Sequence, residues 1–150
     1  MAHDAVTETL SDKAYTPTAQ QMLNWFPKID PGMTPFGSRV LVQLKKPRTT
    51  SVSGLIQYSD DTIAAMQGNT TVALVRAVGP LAYRKRDTLL EWPEKLWCQP
   101  GTLVRVPTHG HNERFYYPDS TQYMVEFRIY DDYQMLGLVT SDPDNLITYV

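Results

Sequence analysis

Arg39-Val-Leu-Val-Gln-Leu-Lys45 is the stretch on which the fold turns. Val40, Val42 and Leu44 alternate with Leu41 and Gln43, a period of two that belongs to an extended strand with one apolar face and one mixed face. Downstream, Thr71-Val-Ala-Leu-Val-Arg-Ala-Val78 repeats the pattern and runs into Gly79-Pro80, a hard stop. Pro100-Gly101 is a turn pair delivering Thr102-Leu-Val-Arg-Val-Pro107. A hairpin follows, with Glu113-Arg-Phe-Tyr-Tyr117 and Thr121-Gln-Tyr-Met-Val-Glu-Phe-Arg-Ile129 on either side of Pro118-Asp-Ser120. The last strand is expected over Gln134 to Thr140, entered through Asp131-Asp132. Short strands at this spacing predict an all-β chain folded as a small barrel or sandwich.

Upstream of the strands the texture changes. Residues 1–35 are polar at first and then carry Pro17, Pro27, Pro31 and Pro35, so they read as an arm. Within it Thr16 to Phe26 has the chemistry of a helix start: a threonine able to cap, a nearby proline, and Gln21 three residues after Thr18. Met22, Leu23, Trp25 and Phe26 then crowd one side before Pro27 ends the helix. So short a helix is marginal alone and needs a surface, either its own barrel or a neighbouring subunit.

Composition bounds what the chain can be. At 150 residues, 42% apolar and 20% charged, it suits one modest domain with length to spare for an extension. The expected division is an arm over 1–35, a barrel over 36–141 and a tail over 142–150. A net charge of −2 gives no pull toward nucleic acid or an anionic membrane. The single cysteine, Cys98, cannot form an intrachain disulfide, and no basic start precedes an apolar run of leader type. No window approaches the ~18 apolar residues of a membrane span. The expected compartment is the cytoplasm.

The order and spacing of these segments resemble a co-chaperonin subunit of the GroES-like family, from Phe36 to Thr140. Ser38-Arg-Val-Leu-Val42 looks like the family's opening strand, with Ser where Asp is usual. Gly54-Leu-Ile56 falls at its glycine and hydrophobic tripeptide, with Gln57 in place of the last aliphatic residue and Tyr58 as a substitute. Val75 to Gly79, Pro100 to Val104, and Met124 to Phe127 followed by Asp132 to Val139 match its later strands. The resemblance implies an irregular barrel and a mobile loop, here Gly54, Leu55, Ile56, Gln57 and Tyr58, that grips a chaperonin. It also implies a homo-oligomer, heptameric in the family, closed by pairing the first strand (Arg39, Leu41, Gln43) with the last (Met135, Leu136, Leu138) of the next subunit. No enzyme activity and no cofactor are implied. A divergent, bacteriophage-encoded member is the expectation, acting in the host cytoplasm. Seven weak loops acting together make a reversible cap through effective concentration.

A rival reading is a virion structural protein, a decoration or cement subunit on the major capsid protein of a phage head. The long arm and the Gln57 departure favour it. Other signals carry less. His109, His111, Glu113 and Cys98 are zinc-ligand types at no standard spacing, and read as a polar turn, so no metal is expected. Lys45-Lys46 with Arg48, and Arg84-Lys-Arg86, lie near tyrosines as in a nucleic-acid barrel, yet read as solvated surface. No Gly-rich phosphate loop and no assembled Ser-His-Asp set support catalysis. Between Leu81 and Gln99, Leu89, Leu90, Trp92, Leu96 and Trp97 look too apolar to stay solvated, and are expected to fill the barrel mouth or to meet another protein.

Overall fold

The computed structural model describes residues 12–47, 57, 59 and 72–145. It is mostly β: a single antiparallel six-stranded sheet with few helices. The strands are β1 (Arg39–Leu44), β2 (Val72–Val78), β3 (Leu103–Arg105), β4 (Glu113–Pro118), β5 (Met124–Asp131) and β6 (Gly137–Leu138), in the order β4-β5-β1-β2-β3-β6. The barrel expected from sequence is not closed by these strands. Among the described residues β4 and β6 are the two edges of an open sheet.

The expected last strand, Gln134 to Thr140, is also shorter. Asp131 caps a 3-10 turn over Asp132–Gln134 in a reciprocal box with Gln134, and only Gly137–Leu138 remains extended. That box satisfies orphan backbone groups locally, so the chain turns where period-two reading predicts extension.

Both faces of the sheet are buried along β1 and β5 and much of β2, whereas the edge strand β4 is mostly exposed. On the inner face Val40, Val42 and Leu44 of β1 meet Ala73 and Val75 of β2, Val104 of β3 and Tyr130 of β5. Glu126 and Arg128 share that face at 3% and 1% exposure. Arg128 donates to Glu126 through Nε, and through Nη1 to both the Thr108 carbonyl at 3.0 Å and the Tyr130 hydroxyl at 3.1 Å. A charged pair in that position is tolerable only when hydrogen-bonded as fully as this.

The outer face is covered by the arm. Helix α1 (Ala19–Trp25) begins at Thr18, which caps the Gln21 amide while the Gln21 side chain bonds back to the Thr18 backbone. Trp25 and Phe26 pack on Val72, Leu74, Leu103 and Val139, and Ile29 packs on Leu41 and Phe127. At one end Tyr15 N–H donates to the Val139 carbonyl at 2.9 Å. At the other, a Cβ on Gly32 would lie 2.8 Å from the Tyr117 hydroxyl. The arm therefore crosses the whole sheet from β6 to β4.

Two polar side chains hold it there. Gln43 is fully buried and donates to the Pro27 carbonyl at 3.0 Å, and Arg76 donates to the Ile29 carbonyl at 2.9 Å and to Gln43. The mixed face of β1 is thus an arm-binding face. Without Gln43 and Arg76 the two arm carbonyls would be buried unpaired, a cost of about 1–3 kcal/mol each.

Candidate functional site

The connection from β1 to β2 leaves and re-enters the sheet at one end of its two central strands, because Leu44 pairs with Ala73. Its root is tied on several sides. Lys45 N–H donates to the Val72 carbonyl at 3.0 Å, and Lys46 N–H to the Trp25 carbonyl at 3.0 Å. The Lys45 ammonium meets Asp144 at 3.0 Å and sits 5.2 Å from the Trp25 ring centre. The Lys46 ammonium meets Asp119 at 2.9 Å and lies 4.7 Å from the centre of Tyr123. These lysines, expected to be solvated surface, instead clamp the connection to the arm, the β4–β5 turn and the C-terminal segment.

Asp119 is the most heavily bonded acid of this root. Its Oδ1 accepts from Thr121 N at 2.8 Å, Thr121 Oγ1 at 2.7 Å and Tyr123 N at 3.0 Å. Burial would raise its pKa, but the Thr121 hydroxyl, the Lys46 ammonium and the two amides outweigh it and hold the carboxyl at about 2.

Of the expected loop residues, Gly54, Leu55, Ile56 and Tyr58 lie outside the described residues, and Gln57 is exposed. The arm residues divide: Trp25 and Phe26 are buried in this chain's own core, Met22 packs at its margin, and Leu23 is 55% exposed. The expected pairing edge on β1 is corrected. β1 is flanked by β2 on one side and β5 on the other, and Leu41 and Gln43 are fully buried, so only Arg39 of that trio reaches solvent. Among the described residues β6 has an open edge, with Leu136 exposed beside it and Met135 and Leu138 half-buried.

Next to that edge is a cavity of about 430 Å³ walled by Trp92, Trp97, Met135, Leu136 and Leu138. Tyr83 shapes its rear wall from a left-handed backbone conformation, φ 56°, that a bulky residue adopts only under constraint. The constraint is Asp132, whose carboxylate accepts the Tyr83 amide and whose carbonyl accepts the Tyr83 hydroxyl, each at 2.8 Å. Cys98 also lines the cavity, with its thiol pushed up to about 11 by burial. That thiol is a core group and a poor nucleophile.

Of the two expectations for the Trp-rich segment, filling a barrel mouth does not fit its exposed leucines. Leu89, Leu90, Trp92 and Leu96 are 40–61% exposed, and the backbone is a tight excursion closed by the Arg84–Glu91 bridge and the short helix α2 (Glu94–Trp97). Ion pairs from Glu91 to Arg84 at 2.9 Å and to Lys95 at 2.7 Å hold that shape at the surface, leaving the leucines outward.

No protein-family model and no curated protein matches the chain. The site is read on geometry alone. Among the described residues no three His, Cys, Asp or Glu groups are placed to hold a metal. His111 is edge-on to Tyr130 at 6.1 Å, whereas Cys98 packs in the inner core with Tyr83. No described helix is long and apolar enough to cross a membrane.

Proposed function

We propose that the chain is a co-chaperonin-like subunit of a homo-oligomeric cap, binding a chaperonin through the β1–β2 connection. The observation that supports it most is the placement of that connection. It starts and ends at one end of the two central strands, which are largely buried there, and its root is clamped by Lys45 and Lys46. A peptide segment carrying Gly54-Leu-Ile56 on so firm a root suits a binding element whose scaffold stays unchanged when it engages a partner. The partner would be a chaperonin in the same cytoplasm, met through apolar side chains and without catalysis. A capsid role drew partly on the arm as spare length, and the arm is occupied on its own sheet.

The test is size-exclusion chromatography with light scattering, with and without a bacterial chaperonin and ADP. The expected result is an oligomer that co-elutes with the chaperonin and loses this with Ile56→Ser, while its own mass is unchanged. A chain that never associates with the chaperonin would overturn the reading in favour of a virion subunit.

A further inference from the structure

One end of the molecule gathers several exposed hydrocarbon side chains. Phe36, Leu81, Tyr133 and Leu136 project there, with Trp92 and Leu96 alongside. Backbone hydrogen bonds join these residues into one region. Leu81 N–H donates to the Gly37 carbonyl at 2.9 Å, Asp132 N–H to the Ser38 carbonyl at 3.0 Å, and Trp92 N–H to the Tyr83 carbonyl at 2.8 Å. An apolar patch of this kind marks an association surface.

Within the patch are a projection and a recess. Phe36 is the projection, 83% exposed although it follows the buried Pro35 and precedes Gly37, whose carbonyl is fixed by Leu81. The recess is the cavity beside β6, wide enough for an aromatic ring. Its wall includes Trp97, whose indole Nε1–H is buried without a partner, a donor that the face of a ring accepts weakly. Phe36 does not enter the recess of its own chain, since it stays exposed. The edge of β6 that borders the recess is open among the described residues and offers backbone groups to an incoming extended segment. Pro31 and Pro35 keep the residues before Phe36 from coiling into a helix.

We infer that the recess beside β6 receives Phe36 from a second copy of this chain. The inference rests on the self-associating subunit proposed above and assigns its contact. Each copy carries one projection and one recess, so the contact repeats from copy to copy. Trp92 and Trp97 then form the wall of a subunit interface, which accounts for their position on an outward excursion.

The experiment is light scattering over a concentration series for the wild-type chain, Phe36→Ser and Leu136→Arg. A Phe36→Cys, Leu136→Cys double variant is oxidised mildly and run on a non-reducing gel. Phe36 is exposed, so its replacement leaves the circular dichroism of the fold intact. Losing one buried phenyl ring should raise the concentration of half-assembly about tenfold or more. Made with Cys98→Ser, because Cys98 lines the same recess, the double cysteine variant should give covalently linked copies, and either single variant none. Assembly unchanged by both substitutions, an absence of linked copies, or a wild type monomeric throughout the series would overturn the inference. Chaperonin capture reports on the other reading separately. A Phe36-dependent oligomer that ignores the chaperonin would leave the contact standing and sink the cap. Capture by an oligomer indifferent to Phe36 would do the reverse.

Discussion

Asp119 shows how much one side chain does for the root where the β1–β2 connection begins. Its carboxylate closes the β4–β5 turn through Thr121 and Tyr123 and holds Lys46 at 2.9 Å. Its folded pKa of about 2 lies below the ordinary aspartate value of about 3.9, so the ionised form is favoured by folding. The stabilisation is therefore whole above pH about 4 and is lost as pH falls through about 2. Melting temperatures of the wild type between those limits should fall with acidification, and Asp119→Asn should flatten that dependence. An unchanged acid limb in the variant would mean that other groups carry it. His111 works in the same direction at milder pH, because burial, Arg128 and Arg114 hold its pKa below the usual histidine value. Its protonation is resisted by the fold, so stability declines as pH drops below about 6.5.

At the level of elements, the strand ends are set by contacts as tight as any in the core. Gly79 ends β2 with its N–H on the Arg39 carbonyl at 2.8 Å, and a Cβ at that position would lie 2.3 Å from the Gly37 carbonyl oxygen. Backbone cannot retreat as a flexible side chain can, so Gly79→Ala should cost about 1–3 kcal/mol in urea unfolding. A variant of wild-type stability would show that the start of β1 yields. The Gly79-Pro80 stop was legible in the sequence, as were β1, β2, the β4–β5 hairpin and the Thr18 cap, because each is written in local pattern and turn chemistry. What was not legible depended on partners distant in the chain. Gln43 and Arg76 read as the wetter side of two strands, and nothing nearby announces that Pro27 and Ile29 will bring carbonyls to them. Glu126 and Arg128 likewise alternate as a solvent face should, yet sit at 3% and 1% exposure. The exposed leucines of residues 89–96 failed in the opposite sense, since hydrophobicity alone does not tell a core from a contact surface. Asp131 and Gln134 did carry a readable signal, the spacing of a capping box, that would have shortened the last strand.

For the whole molecule, the arm is the second layer that an open sheet requires. Its Trp25 and Phe26 cover β2, β3 and the region after β6, and its Ile29 covers β1 and β5. Removing residues 1–35 should leave Val72, Leu74, Leu103 and Phe127 facing water. The truncated chain should then be insoluble or lack a cooperative thermal transition. A soluble truncation that melts like the full chain would show that a second copy or another segment can replace the arm. One further consequence follows from the bond between Tyr15 and Val139. The arm leaves the ribosome before Val72, Leu74, Leu103 and Val139, the residues on which it docks. Met22, Trp25 and Phe26 must therefore wait uncovered until β2, β3 and Val139 have been made, so this chain is itself at risk of early aggregation until then.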